Sequence, residues 1–131
     1  MLKNALMVIK WITKGMKAYI ITGRWHDRHG EDGINKPRMC KRNAKARGVL
    51  AELVIDYLNE RGAVNDDGTI DYDCVYSING NEVSIDGQPP YATVDDVRKA
   101  IMAKGVSEFS VNVDNDGTWA DWSIDLTKCE D

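Results

Sequence analysis

The stretch Asn35–Gly62, NKPRMCKRNAKARGVLAELVIDYLNERG, decides the fold, and its two halves differ in character. From Leu50 onward, apolar side chains recur at the three- and four-residue spacing that places them on one side of a helix. These side chains are Leu50, Leu53, Val54, Tyr57 and Leu58. Pro37 fits a first helical turn, and Gly62 fits a left-handed residue that ends a helix. The stretch therefore predicts one long helix that lies on a sheet, with a kink at Gly48 where its halves meet.

The first half of this stretch carries six cations and no acid: Lys36, Arg38, Lys41, Arg42, Lys45 and Arg47. Positive charge near a helix N-terminus opposes the helix dipole and costs roughly a few tenths of a kcal/mol per residue. Helix stability therefore does not explain the cluster. It either neutralises phosphates of a nucleic acid or pairs with acidic residues elsewhere in the chain. No aromatic stacking motif of the RRM kind accompanies it.

Charge is unevenly distributed along the 131 residues, although the net charge is only −4. Residues 1–61 hold 13 Lys and Arg against 6 Asp and Glu, a balance of +7. Residues 62–131 hold 4 Lys and Arg against 15 Asp and Glu, a balance of −11. Such asymmetry indicates contacts with macromolecules, unless the halves neutralise each other in the folded chain. The hydrophobic fraction of 43% argues against a disordered or a membrane protein.

The length predicts a single domain, residues 1–131, with residues 1–15 as an N-terminal appendage. This appendage fits either a short amphipathic helix or the first strand of a hairpin. Lys10 interrupts its apolar run and no small-residue cleavage site follows, so we expect neither a signal peptide nor a membrane span. Cys40, Cys74 and Cys129 form neither a disulfide framework nor a zinc pattern, which fits a reducing cytoplasm.

Asn79-Gly80 is the strongest hairpin signal in the sequence, because this pair favours the turn whose twist matches that of two paired strands. The predicted strands are Ile70–Ile78 and Asn81–Ile85. A two-residue loop pairs Tyr76 with Val83 and makes one face of this hairpin apolar. Turn chemistry and hydrophobic pattern therefore agree on the register.

Three further segments complete the first part of the fold. Lys17–Trp25 is rich in β-branched and aromatic residues and predicts a strand. His26–Asn35 is charged and glycine-rich and predicts a loop that leads to the long helix. Thr93, with Asp96 three residues on, predicts the start of a second helix, close to a capping box.

A second hairpin is predicted near the C-terminus, where Phe109–Val113 and Ala120–Leu126 alternate between apolar and polar residues. A two-residue turn at Asp116-Gly117 pairs Val111 with Trp122, and a four-residue loop keeps the same faces. The element order is then β-α-β-β-α-β-β. It predicts an α+β fold with a ferredoxin-like β-α-β-β-α-β arrangement and an added C-terminal strand. The expected sheet is mainly antiparallel and five-stranded, with two helices on one face.

The only two histidines, His26 and His29, are weak candidates for metal ligands. They lie in one charged loop, but their spacing fixes no third strong ligand. A metal-assisted enzyme built on them is the third function we consider, and a solvated loop is the better interpretation. We expect no catalytic residue, metal or cofactor.

The outer face of the last hairpin suggests a protein-binding surface. Its candidate residues are Trp119, Asp121, Asp125 and Asp114, with Asp71 and Asp73 on the other hairpin. A tryptophan among carboxylates is typical of an interaction hot spot with electrostatic steering. If helices or the N-terminal segment cover this side of the sheet, Trp119 is a core residue instead.

The sequence has no phosphate loop, nucleophile elbow or zinc signature. We therefore predict a cytoplasmic, non-enzymatic binding protein that engages a basic macromolecular partner through the acidic sheet face. By analogy, small acidic domains without catalytic motifs are common among phage and mobile-element inhibitors that occupy the nucleic-acid site of a host protein. The alternative is a nucleic-acid-binding domain that uses Lys36–Arg47. The sequence does not decide the oligomeric state.

Overall fold

The computed structural model of the chain describes residues 17–70, 74–85, 92–113 and 117–128. Within these ranges, seven strands form one sheet and two helices pack on it. The strands are β1 (Lys17–His26), β2 (Asp32–Ile34), β3 (Arg38–Cys40), β4 (Val75–Ile78), β5 (Asn81–Val83), β6 (Glu108–Asn112) and β7 (Trp119–Lys128). The helices are α1 (Asn43–Glu60) and α2 (Val94–Met102). The predicted appendage, residues 1–15, lies outside the described residues.

The first and last strands pair along their whole length, antiparallel, from Lys17 opposite Lys128 to His26 opposite Trp119. The sheet order is β2-β1-β7-β6-β4-β5, with β3 also beside β1, and every pairing is antiparallel. The α+β class, the antiparallel sheet and the two helices are as predicted. The ferredoxin-like topology and the count of five strands are wrong. Both sides of β1 are taken by β2, β3 and β7, so the strands that a ferredoxin-like order places there are excluded.

Two short strands lie where the sequence predicted a loop and the start of a helix. β2 pairs with Arg24–His26, and β3 pairs with Tyr19–Ile21. Pro37 lies between these strands, where a residue without a backbone N–H is tolerated, and does not begin α1. Gly33 lies against the indole of Trp25, where a Cβ atom would overlap the ring. The absence of a side chain there lets β2 approach β1.

The C-terminal end of α1 is fixed as predicted. Gly62 has a φ of 72°, its N–H donates to the carbonyl of Asn59 at 3.0 Å, and the N–H of Ala63 donates to Leu58 at 3.0 Å. This pair of bonds is a Schellman motif, which needs a residue that tolerates positive φ. The helix runs without interruption through Gly48, and a Cβ there would lie 3.8 Å from the Met102 sulfur.

The Asn79-Gly80 turn has positive φ at both residues, 51° and 82°, as a type I′ turn requires. Tyr76 pairs with Val83 and Ile78 with Asn81, which confirms the predicted register. The strands are shorter than predicted, because β4 begins at Val75 and β5 ends at Val83.

The cap of α2 and the faces of the last hairpin also agree with the sequence. Thr93 and Asp96 form a complete capping box. In the last hairpin, Phe109 pairs with Trp122 and Val111 with Ala120. This register corresponds to the four-residue loop, so the faces are as predicted and the two-residue pairing is wrong.

Both helices and one face of the sheet enclose a single core. Its largest fully buried side chains include Phe109, Leu50, Leu58 and Ile101. Four aromatic rings pack near its centre: Tyr57, Tyr76, Phe109 and Trp122. Most side chains of the predicted apolar faces are buried, but Leu53 and Val83 are only half-buried, and Leu126, near the end of β7, is 54% exposed.

Candidate binding face

Alternation along the strands gives the sheet two faces of different chemistry. One face forms the core with both helices. The register places a second set of side chains on the opposite side, which we name the open face. Its members are Ala18, Ile20, Thr22, Arg24, His26, Asp32, Ile34, Met39, Val75, Ser77, Glu82, Glu108, Ser110, Asn112, Trp119, Asp121, Ser123, Asp125 and Thr127.

Side chains of the open face form rows across the strands. The longest row takes one residue from each of six strands: Ile34, Arg24, Asp121, Ser110, Ser77 and Glu82. Because small hydroxyl side chains fill its middle, a depression of about 510 Å³ lies along this row and the neighbouring Thr22 and Ser123. From Ile34 to Ser77 the row crosses five strands, roughly 20 Å at the usual strand spacing.

Trp119 is half-buried on the open face and does not belong to the core. Its ring stacks on the imidazole of His26, with the centroids 5.7 Å apart and the planes at 19°. The guanidinium carbon of Arg24 lies 5.4 Å from the Trp119 ring centroid, within cation–π range. His26 is itself held by a contact between its Nδ1 and the carboxylate of Asp32. These neighbours fix the indole while part of it stays exposed.

An ion pair joins β1 to β7 beside this ring. Nε and a terminal nitrogen of Arg24 both donate to Oδ2 of Asp121, at 3.3 and 3.2 Å. The two side chains remain 68% and 38% exposed. Ion pairs this accessible to water contribute about 0–1 kcal/mol, so the pair can open at little cost.

Carboxylates dominate the charge of the open face. Its acids are Asp32, Glu82, Glu108, Asp121 and Asp125, and Arg24 is its one Lys or Arg among the described residues. Arg24 neutralises the charge of only one of these five carboxylates, that of Asp121. A concave surface with this excess of negative charge attracts cationic groups.

The predicted partner-binding residues fall partly on this face. Three of them share it, as the alternation predicted: Trp119, Asp121 and Asp125. The other three lie outside the described residues: Asp71, Asp73 and Asp114. The sequence reasoning missed Arg24 and His26, which meet Trp119 only through the β1–β7 pairing. Alternation in β1 separates Arg24 from the core residue Ile21, but no sequence signal shows which strand lies beside it.

The cations from Lys36 to Arg47, which we name the basic run, extend from the segment before β3 through the turn after it to the start of α1. Arg42 is the N-cap residue and makes no side-chain cap, and the first turn holds no acid. Arg47 instead joins the two helices, because it donates to Asn43 Oδ1 at 2.8 Å and to the carbonyl of Met102. Four other cations are exposed and form no ion pair within the described ranges: Lys36, Arg38, Arg42 and Lys45.

Asp27 holds the loop between β1 and β2, which contains His29, through backbone hydrogen bonds. Its carboxylate accepts hydrogen bonds from the backbone N–H of Glu31 at 3.0 Å and of His29 at 2.9 Å. These bonds, the one from Glu31 first, hold the pKa of Asp27 below its ordinary value. Among the described residues, no three His, Cys, Asp or Glu side chains converge on a metal position.

A second depression lies on the helix side of the molecule and has a volume of about 360 Å³. It follows one stripe of α1, and its lining residues are Arg38, Lys45, Gly48, Val49, Glu52, Leu53 and Asp56. The half-buried Val49 and Leu53 supply its apolar part, and cations and acids both border it. It therefore has no excess of one charge comparable to that of the open face.

Comparison of the chain with family models, with curated proteins and with solved structures finds no match. Neither helix in the described ranges has the length and apolar character needed to cross a membrane.

Proposed function

We propose that the chain is a non-enzymatic binding protein whose open face engages a basic surface of a macromolecular partner. One observation carries the proposal: the face sets five carboxylates against a single guanidinium, on a groove that runs beside a half-exposed tryptophan. A basic segment of roughly 20 Å, lying across the strands, meets carboxylates along its path. The negative charge of the open face and the shape of its groove thus both favour a partner that presents a basic, extended segment.

Trp119 is suited to anchor such a partner. Tryptophan is enriched at binding hot spots because it buries a large area with few rotatable bonds. Stacking on His26 already restricts the indole, so binding orders it further at little entropic cost. The carboxylates around it speed encounter with a basic surface, and this acceleration falls as salt rises.

The partner that this charge pattern favours is a protein that handles nucleic acid. Protein surfaces that bind phosphate backbones are rich in Lys and Arg. An acidic groove can bind those same side chains and so compete with the nucleic acid. A chain of this kind would act as a phage or mobile-element inhibitor that occupies the nucleic-acid site of a host protein. The net charge of −4 supports this part of the proposal.

The test is capture of partners from a nuclease-treated cell extract on three immobilised forms of the chain. Asp121→Lys reverses a charge on the open face, and Asp56→Lys makes the same change at an exposed position of α1. We expect one or more basic proteins to be retained by the wild type and by Asp56→Lys but not by Asp121→Lys. Retention that Asp121→Lys leaves unchanged, or retention that occurs only in a parallel extract without nuclease, would contradict the proposal.

A second candidate function is nucleic-acid binding through the basic run. The observation that favours it is the group of four exposed cations without ion-pair partners in the described ranges, next to a helix start that has no side-chain cap. Phosphates could take the place of those missing partners. Arg47 is excluded from this role, because the helix contacts described above engage it.

A further inference from the structure

The open face already holds one cation of the chain itself, the guanidinium of Arg24. This guanidinium lies over the Trp119 ring, 5.4 Å from the centroid, and donates to the carboxylate of Asp121. Stacking combined with forked donation is characteristic of arginine, because lysine offers only a compact charge on a flexible chain. Trp119 and Asp121 thus form a site suited to a guanidinium group, and Arg24 of the chain itself lies in it.

Arg24 fills this position incompletely. Both of its donors use Oδ2 of Asp121, so the two-oxygen fork of a strong arginine–carboxylate pair is not formed. Among the described residues, Oδ1 of Asp121 accepts no hydrogen bond. The side chain of Arg24 is also 68% exposed, so water competes for its charge. A guanidinium that arrives from a partner can form the better fork.

We propose that the open face is an arginine acceptor and that Arg24 occupies it as an internal competitor until an arginine of the partner replaces it. This inference rests on the proposed function and names the partner chemistry: a basic segment that presents arginine rather than lysine. Loss of Arg24 should therefore strengthen binding, whereas loss of an ordinary contact residue weakens it. Trp119 and Asp121 form the acceptor, and His26 holds the indole in position.

The experiment compares binding of an arginine octapeptide and a lysine octapeptide at about 50 mM salt, where charge contacts are strong. Arg24→Ala is the main variant. Arg98→Ala is the matched control, because it removes one positive charge from α2, on the other side of the sheet, where Arg98 pairs with Glu52. Thermal melting of each variant shows that it is folded. Equal peptide lengths and charges isolate the effect of the guanidinium group.

We expect the wild type to prefer the arginine peptide. Arg24→Ala should bind that peptide about threefold tighter, or more, than either the wild type or Arg98→Ala, which matches the strength of an exposed cation–π contact. The lysine peptide should gain no more from Arg24→Ala than from Arg98→Ala. In an Arg24→Ala background, Asp121→Asn should remove the arginine preference.

Other outcomes separate the two proposals. Equal binding of both peptides by the wild type, unchanged in Arg24→Ala, would overturn the arginine acceptor and leave the acidic binding face in place. Binding of neither peptide would overturn the proposed function and with it this inference. A third arm uses an oligothymidine of about twelve nucleotides, a common site size for single-strand binding. If the wild type binds it and Arg24→Ala does not, Arg24 is a phosphate contact and the competitor role is wrong.

Discussion

The side-chain amide of Asn79 donates a hydrogen bond to the carbonyl oxygen of Gly105 at 2.9 Å, and so ties the β4–β5 turn to the loop that follows α2. The other end of the same side chain accepts from the backbone N–H groups of Ser107 and Glu108, at 2.9 and 3.0 Å. Asn79 therefore sets a turn and also positions the start of β6. Glu108 and Ser110 of the open face lie in this strand.

Replacing Asn79 with glycine separates these two roles. Glycine keeps the positive φ of the turn without strain, so any loss reflects the side-chain bonds. We expect a loss of about 1–2 kcal/mol in the free energy of unfolding, the usual range for a few partly exposed hydrogen bonds. Denaturant titration measures it. Unchanged or increased stability would show that the side-chain bonds of Asn79 contribute nothing.

Local signals in the sequence predicted local structure well. The Asn79-Gly80 turn, the Thr93 cap and the Gly62 helix end each depend on residues a few positions apart, and the structure contains all three. The sheet order depends on contacts far apart in sequence, and no residue pattern states that Lys17–His26 pairs with Trp119–Lys128. The sequence pattern did not predict β2 and β3, because strands of three residues are too short to show alternation.

Phe109→Ala tests the core. Phe109 is 1% exposed and packs against Tyr76 and Trp122. Its truncation should cost about 3–5 kcal/mol of unfolding free energy, as large-to-small core changes do. Ser110→Ala, one position along the same strand but on the open face, is the control and should change stability by less than about 0.5 kcal/mol. A loss below about 1 kcal/mol for Phe109→Ala in denaturant titration would contradict the assignment of faces.

The bonds of Asp27 predict an acid-sensitive contribution to stability. Because its pKa lies below the ordinary value of 3.8, the folded state favours the charged carboxylate. This contribution is fully present above the ordinary value and is lost as the pH falls through the lowered pKa. Asp27→Ala should therefore melt below the wild type at neutral pH, and the difference should shrink in acid. A difference that stays constant down to about pH 2 would contradict this account.

The basic run is tested by replacing Lys41, Arg42 and Lys45 together with alanine. If these residues contact phosphate, the triple variant should lose nucleic-acid binding and keep its melting temperature, and binding by the wild type should weaken steeply with salt. The matched control replaces Arg98, Lys99 and Lys104, which removes the same charge around α2 and should preserve binding. Absence of any binding by the wild type at about 50 mM salt would discard this candidate function.

The open face itself was only partly predictable. Alternation in the last hairpin separated Trp119 and Asp121 from the core, because neighbouring residues of a strand point to opposite faces. It could not supply Arg24 or His26, whose contacts with that strand depend on the pairing of β1 with β7. The ion pair between Arg24 and Asp121 therefore could not be predicted from the alternation of residues alone.

The central claim is that basic partners bind the open face, and side-chain NMR during titration with the arginine octapeptide tests it most directly. Backbone amides cannot separate the two faces of one strand, whereas side-chain signals can. We predict shifts of the Trp119 indole N–H and of the Ile34 methyl groups, both on the open face, with no shift at Val49 or Leu53 in α1. Shifts at Val49 and Leu53, with Trp119 and Ile34 unmoved, would contradict the account.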